Sequence, residues 1–151
     1  MQLSSELLPY EERTILLVCD RMQARLYEAH NREVSLLDTI TYNQLPLDEN
    51  ERYSVQVAGE RMSKSQDEGL KEREAGDFYK QLAEYLFGLG KRVDYAKLVP
   101  VIPKDDQNML LEALHPDVST RVDRVVPKQL TKVADDELIK RLDQERRSLS
   151  G

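Results

Sequence analysis

The chain has 151 residues, of which 40% are hydrophobic and 33% charged, and it carries a net charge of -6 at pH 7. A chain of that size buries roughly 68–70% of its unfolded surface around one core, and its apolar content is too high for a disordered polymer. The acidic balance, with a pI of about 5.1, excludes diffuse binding to nucleic acid or anionic membrane unless bases cluster locally. The N-terminus lacks the charged-then-apolar order of a leader and no window approaches the ~20 apolar residues of a membrane span, so a single-domain, cytoplasmic protein is expected.

"TILLVCD" (14–20) is a continuous apolar run, as expected of a central strand covered on both faces. Within it, Cys19, the only cysteine, reads as a small buried hydrophobe. "QARLYEA" (23–29) alternates, and "EVSLLDTITY" places Val34, Leu36 and Ile40 on one face. The polar breaks at 20–22 and 30–32 are short enough for an antiparallel meander.

Residues from about 44 to 74 have no sustained apolar periodicity and are expected to form a long charged loop. "GDFYKQLAEYLFGLG" follows, with Phe78, Leu82, Tyr85, Leu86 and Leu89 at helical spacing and Gly90 as a left-handed stop. "YAKLVPVIP" (95–103) is the next strand, in which Pro100 points to an edge position or a bulge. "DDQNMLLEAL" (105–114) is a helix closed by His115-Pro116, "RVDRVVP" (121–127) a fifth strand, and "ADDELIKRLDQERR" a last helix burying Leu138, Ile139 and Leu142 before a frayed C-terminus. Three antiparallel strands, then helix, strand, helix, strand, helix, is the order of an α/β ribonuclease H-like fold with a mixed five-stranded sheet.

The segments "TILLVCDRMQARLYEA", "ERMSKSQDEGLKEREAGDFYKQLAEYL", "YAKLVPVIPKDDQNMLLEAL" and "VPKQLTKVADDELIKRL" resemble the bacterial family of proteins required for attachment to host cells. That family is similar to the central domain of the archaeal and eukaryotic peptide release factor and of Pelota. The resemblance runs from about Thr14 to Leu142 and implies the same fold. It departs in two places: "PKDDQN" (103–108) is charged where the family has an apolar strand end, and the Gly-Gly-Gln of the release-factor loop is absent.

In those relatives the loop before the long helix reaches peptidyl-tRNA, which places Gln66, flanked by Ser65 and Asp67, as the candidate for ester hydrolysis. A glycine pair is what allows backbone to approach an ester closely, and only Gly69 lies near. The competing expectation is a non-catalytic binding loop in which Arg61, Ser63, Lys64 and Gln66 contact a translation component such as ribosome or tRNA, another structured RNA, or a protein partner. The plainest alternative is a solvated insertion that orders on a partner. A third reading is a structural part of a cell-envelope or attachment assembly.

Asp20, Glu74 and Asp105 or Asp106 stand where a two-metal nuclease of this fold would place carboxylates, yet acids at 105 and 106 equally suit a helix N-terminus. His30 and His115 lack His or Cys neighbours, and Gly59, Gly69 and Gly76 make no phosphate-binding pattern. No metal, cofactor or catalytic residue is therefore assigned. Tyr10, Tyr42 and Tyr53 flank expected loops, where amphipathic rings suit sheet edges. Arg121, Arg124, Lys128 and Lys132 form the segment least diluted by acids, and Arg124 and Lys128 complete the candidate binding set.

Overall fold

The computed structural model describes residues 1–41 and 64–150. Four strands, β1 (Tyr10–Cys19), β2 (Gln23–Asn31), β3 (Glu33–Thr41) and β4 (Lys97–Val101), form one mixed sheet in the order β3-β2-β1-β4. β1, β2 and β3 make the expected antiparallel meander, and β4 lies parallel to β1. Ile15 to Val18 are fully buried, as the unbroken apolar run requires of a strand paired on both edges and covered on both faces. Asn31 turns the second hairpin at φ 56°, a left-handed conformation that asparagine tolerates better than most residues.

Four helices lie among the described residues: α1 (Lys64–Arg92), α2 (Gln107–Ala113), the single turn α3 (Pro116–Ser119) and α4 (Asp135–Ser150). A turn of 3₁₀-helix, Lys104–Asp106, leads into α2. The side chains of β1 alternate between two cores. Ile15, Leu17 and Cys19 pack with Phe78, Tyr79, Leu82 and Leu86 of α1, while Leu16 and Val18 pack with Leu138, Ile139 and Leu142 of α4. Each such aliphatic side chain contributes roughly 1.5–3 kcal/mol on leaving water. On the α4 side, β2 adds polar ties: Arg25 donates to the Leu130 and Val133 carbonyls, and the Tyr27 hydroxyl donates to Asp135 at 2.6 Å.

Four expectations need correction. The fifth strand does not form among the described residues, where residues 121–126 meet β4 only in isolated bridges, Leu98 with Val122 and Val101 with Val126. The cause is Pro100. The Asp123 amide donates to the Leu98 carbonyl, but Pro100 has no amide to continue the ladder, and the next bond to its carbonyl comes from Val126. Three positions along β4 are thus spanned by four along the partner, a bulge that ends regular pairing. The edge position expected of the proline is what the sheet order gives β4.

Secondly, α1 begins at Lys64, inside the stretch expected to be loop to residue 74. Charged helix formers carry this portion without an apolar stripe to announce it. Gly90 is also no left-handed stop, since no described glycine has positive φ and the helix runs on to Arg92. Its bare α-carbon instead admits Arg121, whose Nη1 lies 3.1 Å from where a β-carbon would stand and whose guanidinium lies 4.5 Å from the Tyr95 ring centre.

β3 carries a bulge between the pairs Leu26–Asp38 and Tyr27–Leu36, so Ile40 joins the α1 core while Val34 joins the α4 core. Leu36, expected on one face with them, is 51% exposed. The helical backbone of α4 continues to Ser150.

Candidate functional site

β1 and β4 are parallel neighbours, and the crevice beyond the carboxyl ends of such strands is the common ligand position in α/β sheets. A cleft of about 530 Å³ lies there, with Asp20, Arg21, Asp106, Gln129 and Lys132 among its walls. Asp20 follows β1 directly. Its Oδ1 accepts from the amides of Met22 and Gln23, at 2.8 and 3.0 Å, closing the turn into β2, and its Oδ2 accepts from the Thr131 hydroxyl at 2.7 Å. Asp106 follows β4 and is held by three donors: Arg21 Nε and Nη2, the latter at 2.8 Å, and the Tyr79 hydroxyl.

Burial alone would raise the Asp106 carboxyl, but the hydrogen bonds from Arg21 and Tyr79 outweigh it and hold the group below its ordinary value of 3.8. Cys19, buried between these acids, has its thiol pushed up by desolvation and then by the charges of Asp20 and Asp106, so it stays a protonated core residue. Among the described residues no three His, Cys, Asp or Glu side chains come together as a metal-holding group. Of the acids named for a nuclease, Asp20 and Asp106 are occupied as structural acceptors.

Helix α1 is oriented by contacts at its middle and near its C-terminal end. Tyr79 reaches Asp106 at the carboxyl edge, whereas Gly90 lies against Tyr95, next to the Ala96 amide that bonds to Arg13 at the start of β1. The helix therefore runs from the carboxyl edge toward the amino edge. Its backbone continues from Ala75 back to Lys64, about 16 Å along the axis, on the carboxyl-edge side.

The candidate residues are not gathered into one site. The backbones of Lys64 and Gln66 fall in the first turns of α1, a helix rather than a glycine-rich tip. Arg61 and Ser63, with Tyr42 and Tyr53, lie outside the described residues. Arg124 and Lys128 belong to the other face of the sheet, where Lys128 pairs with Glu145 at 2.7 Å and Arg124 lines a separate cavity at the amino ends of β1 and β4. Tyr10, the first residue of β1, is buried beneath the Arg146 guanidinium, 3.9 Å from its ring centre. His115 caps α3 by accepting from the Asp117 amide at 3.1 Å and stacks on Phe87.

Sequence reasoning missed Arg21, Tyr79 and Gln129. The signal available for Arg21 was its place one residue beyond the acid that ends the central strand.

The family described as "protein required for attachment to host cells" matches residues 15–142. The chain belongs to that family. Among solved structures, the chain is similar to the archaeal translation termination factor aRF1, with a TM-score of 0.50 and 11% identity over 94% of this chain. It spans 41% of the length of that termination factor, and at such identity the likeness concerns the fold. No curated protein matches the chain. No helix among the described residues is long and apolar enough to cross a membrane.

Proposed function

We propose that this host-attachment family member is a non-catalytic interaction module that binds a translation component or structured RNA through the carboxyl edge of its sheet. The contact surface comprises the N-terminal turns of α1 with Lys64 and Gln66, the preceding Arg61 and Ser63 in the sequence, and the cleft bearing Gln129 and Lys132. One observation carries this reading: both buried acids in the cleft, Asp20 and Asp106, are already bonded to protein donors. That leaves a polar recognition surface beside them without a poised base. The likeness to a termination factor supports a partner in translation. In this reading residues 121–126 are a degenerate fifth strand of a ribonuclease H-like sheet and the protein works in the cytoplasm.

Charge reversal tests it. Arg61→Glu with Lys64→Glu, and separately Lys132→Glu, should weaken co-sedimentation with ribosomes or structured RNA and flatten its dependence on salt. Equal retention of both variants at every salt concentration would refute the reading. The hydrolase alternative places Gln66 at a reacting ester, and Gln66→Ala should then abolish release from a model aminoacyl ester; unchanged turnover removes it.

The family description favours a second reading, a structural part in an attachment assembly at the cell envelope. Co-purification of envelope proteins in place of ribosomal ones, unaffected by these charge reversals, would select it.

A further inference from the structure

At the amino ends of β1 and β4, on the α4 face and so at the opposite end of the sheet from the cleft above, lies a second cavity of about 250 Å³. Tyr10, Thr14, Lys97, Val99, Arg124 and Arg146 line it. Two irregularities open this space: β1 slips register between Tyr10 and Thr14, and the bulge opposite Pro100 sets Arg124 within the unpaired stretch between Asp123 and Val126. Arg146 is a fixed positive wall, donating to the carbonyls of Leu8 and Pro9 and paired with Asp143. Lys97 sits 3.7 Å from Asp123.

Arg124 differs from these neighbours. Its Nη1 faces Asp123 at 3.8 Å, but its Nε and Nη2 are buried without an acceptor. Those two nitrogens share one edge of the guanidinium and form the fork that grips a two-oxygen anion, the same edge with which Arg21 holds Asp106. The Tyr10 hydroxyl is also buried without a partner, on a residue only 5% exposed. Burial raises its pKa, opposed by the nearby Arg146 and Arg124 charges, so the phenol remains a donor at neutral pH. Buried donors with no acceptor are uncommon in folded chains.

We propose that this cavity binds a small oxyanion, held bidentately by Nε and Nη2 of Arg124 with the Tyr10 hydroxyl as third donor. Glu11, Glu12 and Asp123 at the walls balance the three bases and exclude larger polyanions.

The test titrates the whole chain with sodium acetate and with inorganic phosphate, each against sodium chloride at matched ionic strength, following the melting temperature and the Arg124 Nε–H resonance. Either oxyanion should raise the melting temperature above the chloride control and shift that resonance. Arg124→Lys, which keeps the charge but loses the fork, should weaken binding at least about tenfold, and Arg124→Gln should abolish the rise. Tyr10→Phe should weaken binding by a smaller factor. Melting that follows ionic strength alone, or an equal rise in Arg124→Gln, would overturn the proposal. Should Arg124→Gln fail to fold, the wild-type resonance decides: a shift with acetate or phosphate supports the site, and an unmoved signal refutes it.

Discussion

The Tyr79 hydroxyl donates to Oδ2 of Asp106 at 2.8 Å while Arg21 of the β1–β2 turn closes on the same carboxylate, so one buried acid joins α1, that turn and the turn after β4. Tyr79→Phe removes one neutral donor from an ionised acceptor and should destabilise the fold by about 1.5–3 kcal/mol. Arg21→Met leaves the buried charge largely uncompensated and should cost more, about 3–5 kcal/mol. Urea unfolding of the two variants checks both the losses and their order.

Acid sensitivity follows from the same carboxylate and from Asp143. Burial raises Asp143, but hydrogen bonds from Arg147 and the Leu8 amide, with the charges of Arg147 and Arg146, bring it below its ordinary value. Both acids have folded pKa values beneath their unfolded ones, so their contribution is present above the unfolded value of about 3.8 and is lost as pH falls through the folded values. Denaturant midpoints should stay flat from neutrality to about pH 5 and then fall. Asp106→Asn and Asp143→Asn should be less stable at pH 7, with curves converging on the wild type in acid.

Cys19 should resist thiol reagents in the native state. Its side chain is buried and its thiol is held protonated, so modification requires opening of the sheet. Reaction with a disulfide reagent should become fast only across the denaturation transition; rapid labelling in native buffer would contradict the core placement.

The contrast between Leu17 and Leu36 gives a packing test. Leu17 is fully buried against α1, and Leu17→Ala should cost about 2–5 kcal/mol. Leu36 stands on the exposed edge strand, and Leu36→Ser should fall within about 0.5 kcal/mol of neutral. Thermal melts of the pair suffice.

Hydrogen exchange should expose the effect of Pro100 directly. The amides of Asp123 and Val126 bond to β4 carbonyls, at 2.9 and 2.8 Å, and should be protected. Those of Arg124 and Val125, inside the bulge, should exchange much faster, and uniform protection from 122 to 126 would mean an unbroken strand.

Elements with one strong local signal were legible in the amino acids. The unbroken run of Ile15 to Val18 demanded a central strand, and Leu138, Ile139 and Leu142 marked the face that α4 buries. What stayed hidden depended on pairing. Nothing local to Leu37 announces the bulge that turns Ile40 to the other face, because its register is set by β2. Pro100 announced an irregularity but not that the neighbouring segment would absorb it. The early start of α1 lacks an apolar stripe; the spacing of Ser63 and Gln66, Ser-x-x-Gln, was the available signal. For the sites, position in sequence identified Arg124 as basic, but only the fold shows that its fork is buried beside Tyr10 while Lys128 is spent on Glu145.

The pairing of Leu16 with Val99 also bears on synthesis of the protein. β1 leaves the ribosome well before its parallel neighbour is translated, and the α4 residues that cover Leu16 and Val18 come later still. A growing chain that ends before Lys97 therefore presents its most apolar ribbon with one side unzipped and one face bare. For several seconds at ordinary elongation rates of about 5–20 residues per second, this is the interval in which a nascent-chain chaperone would find it.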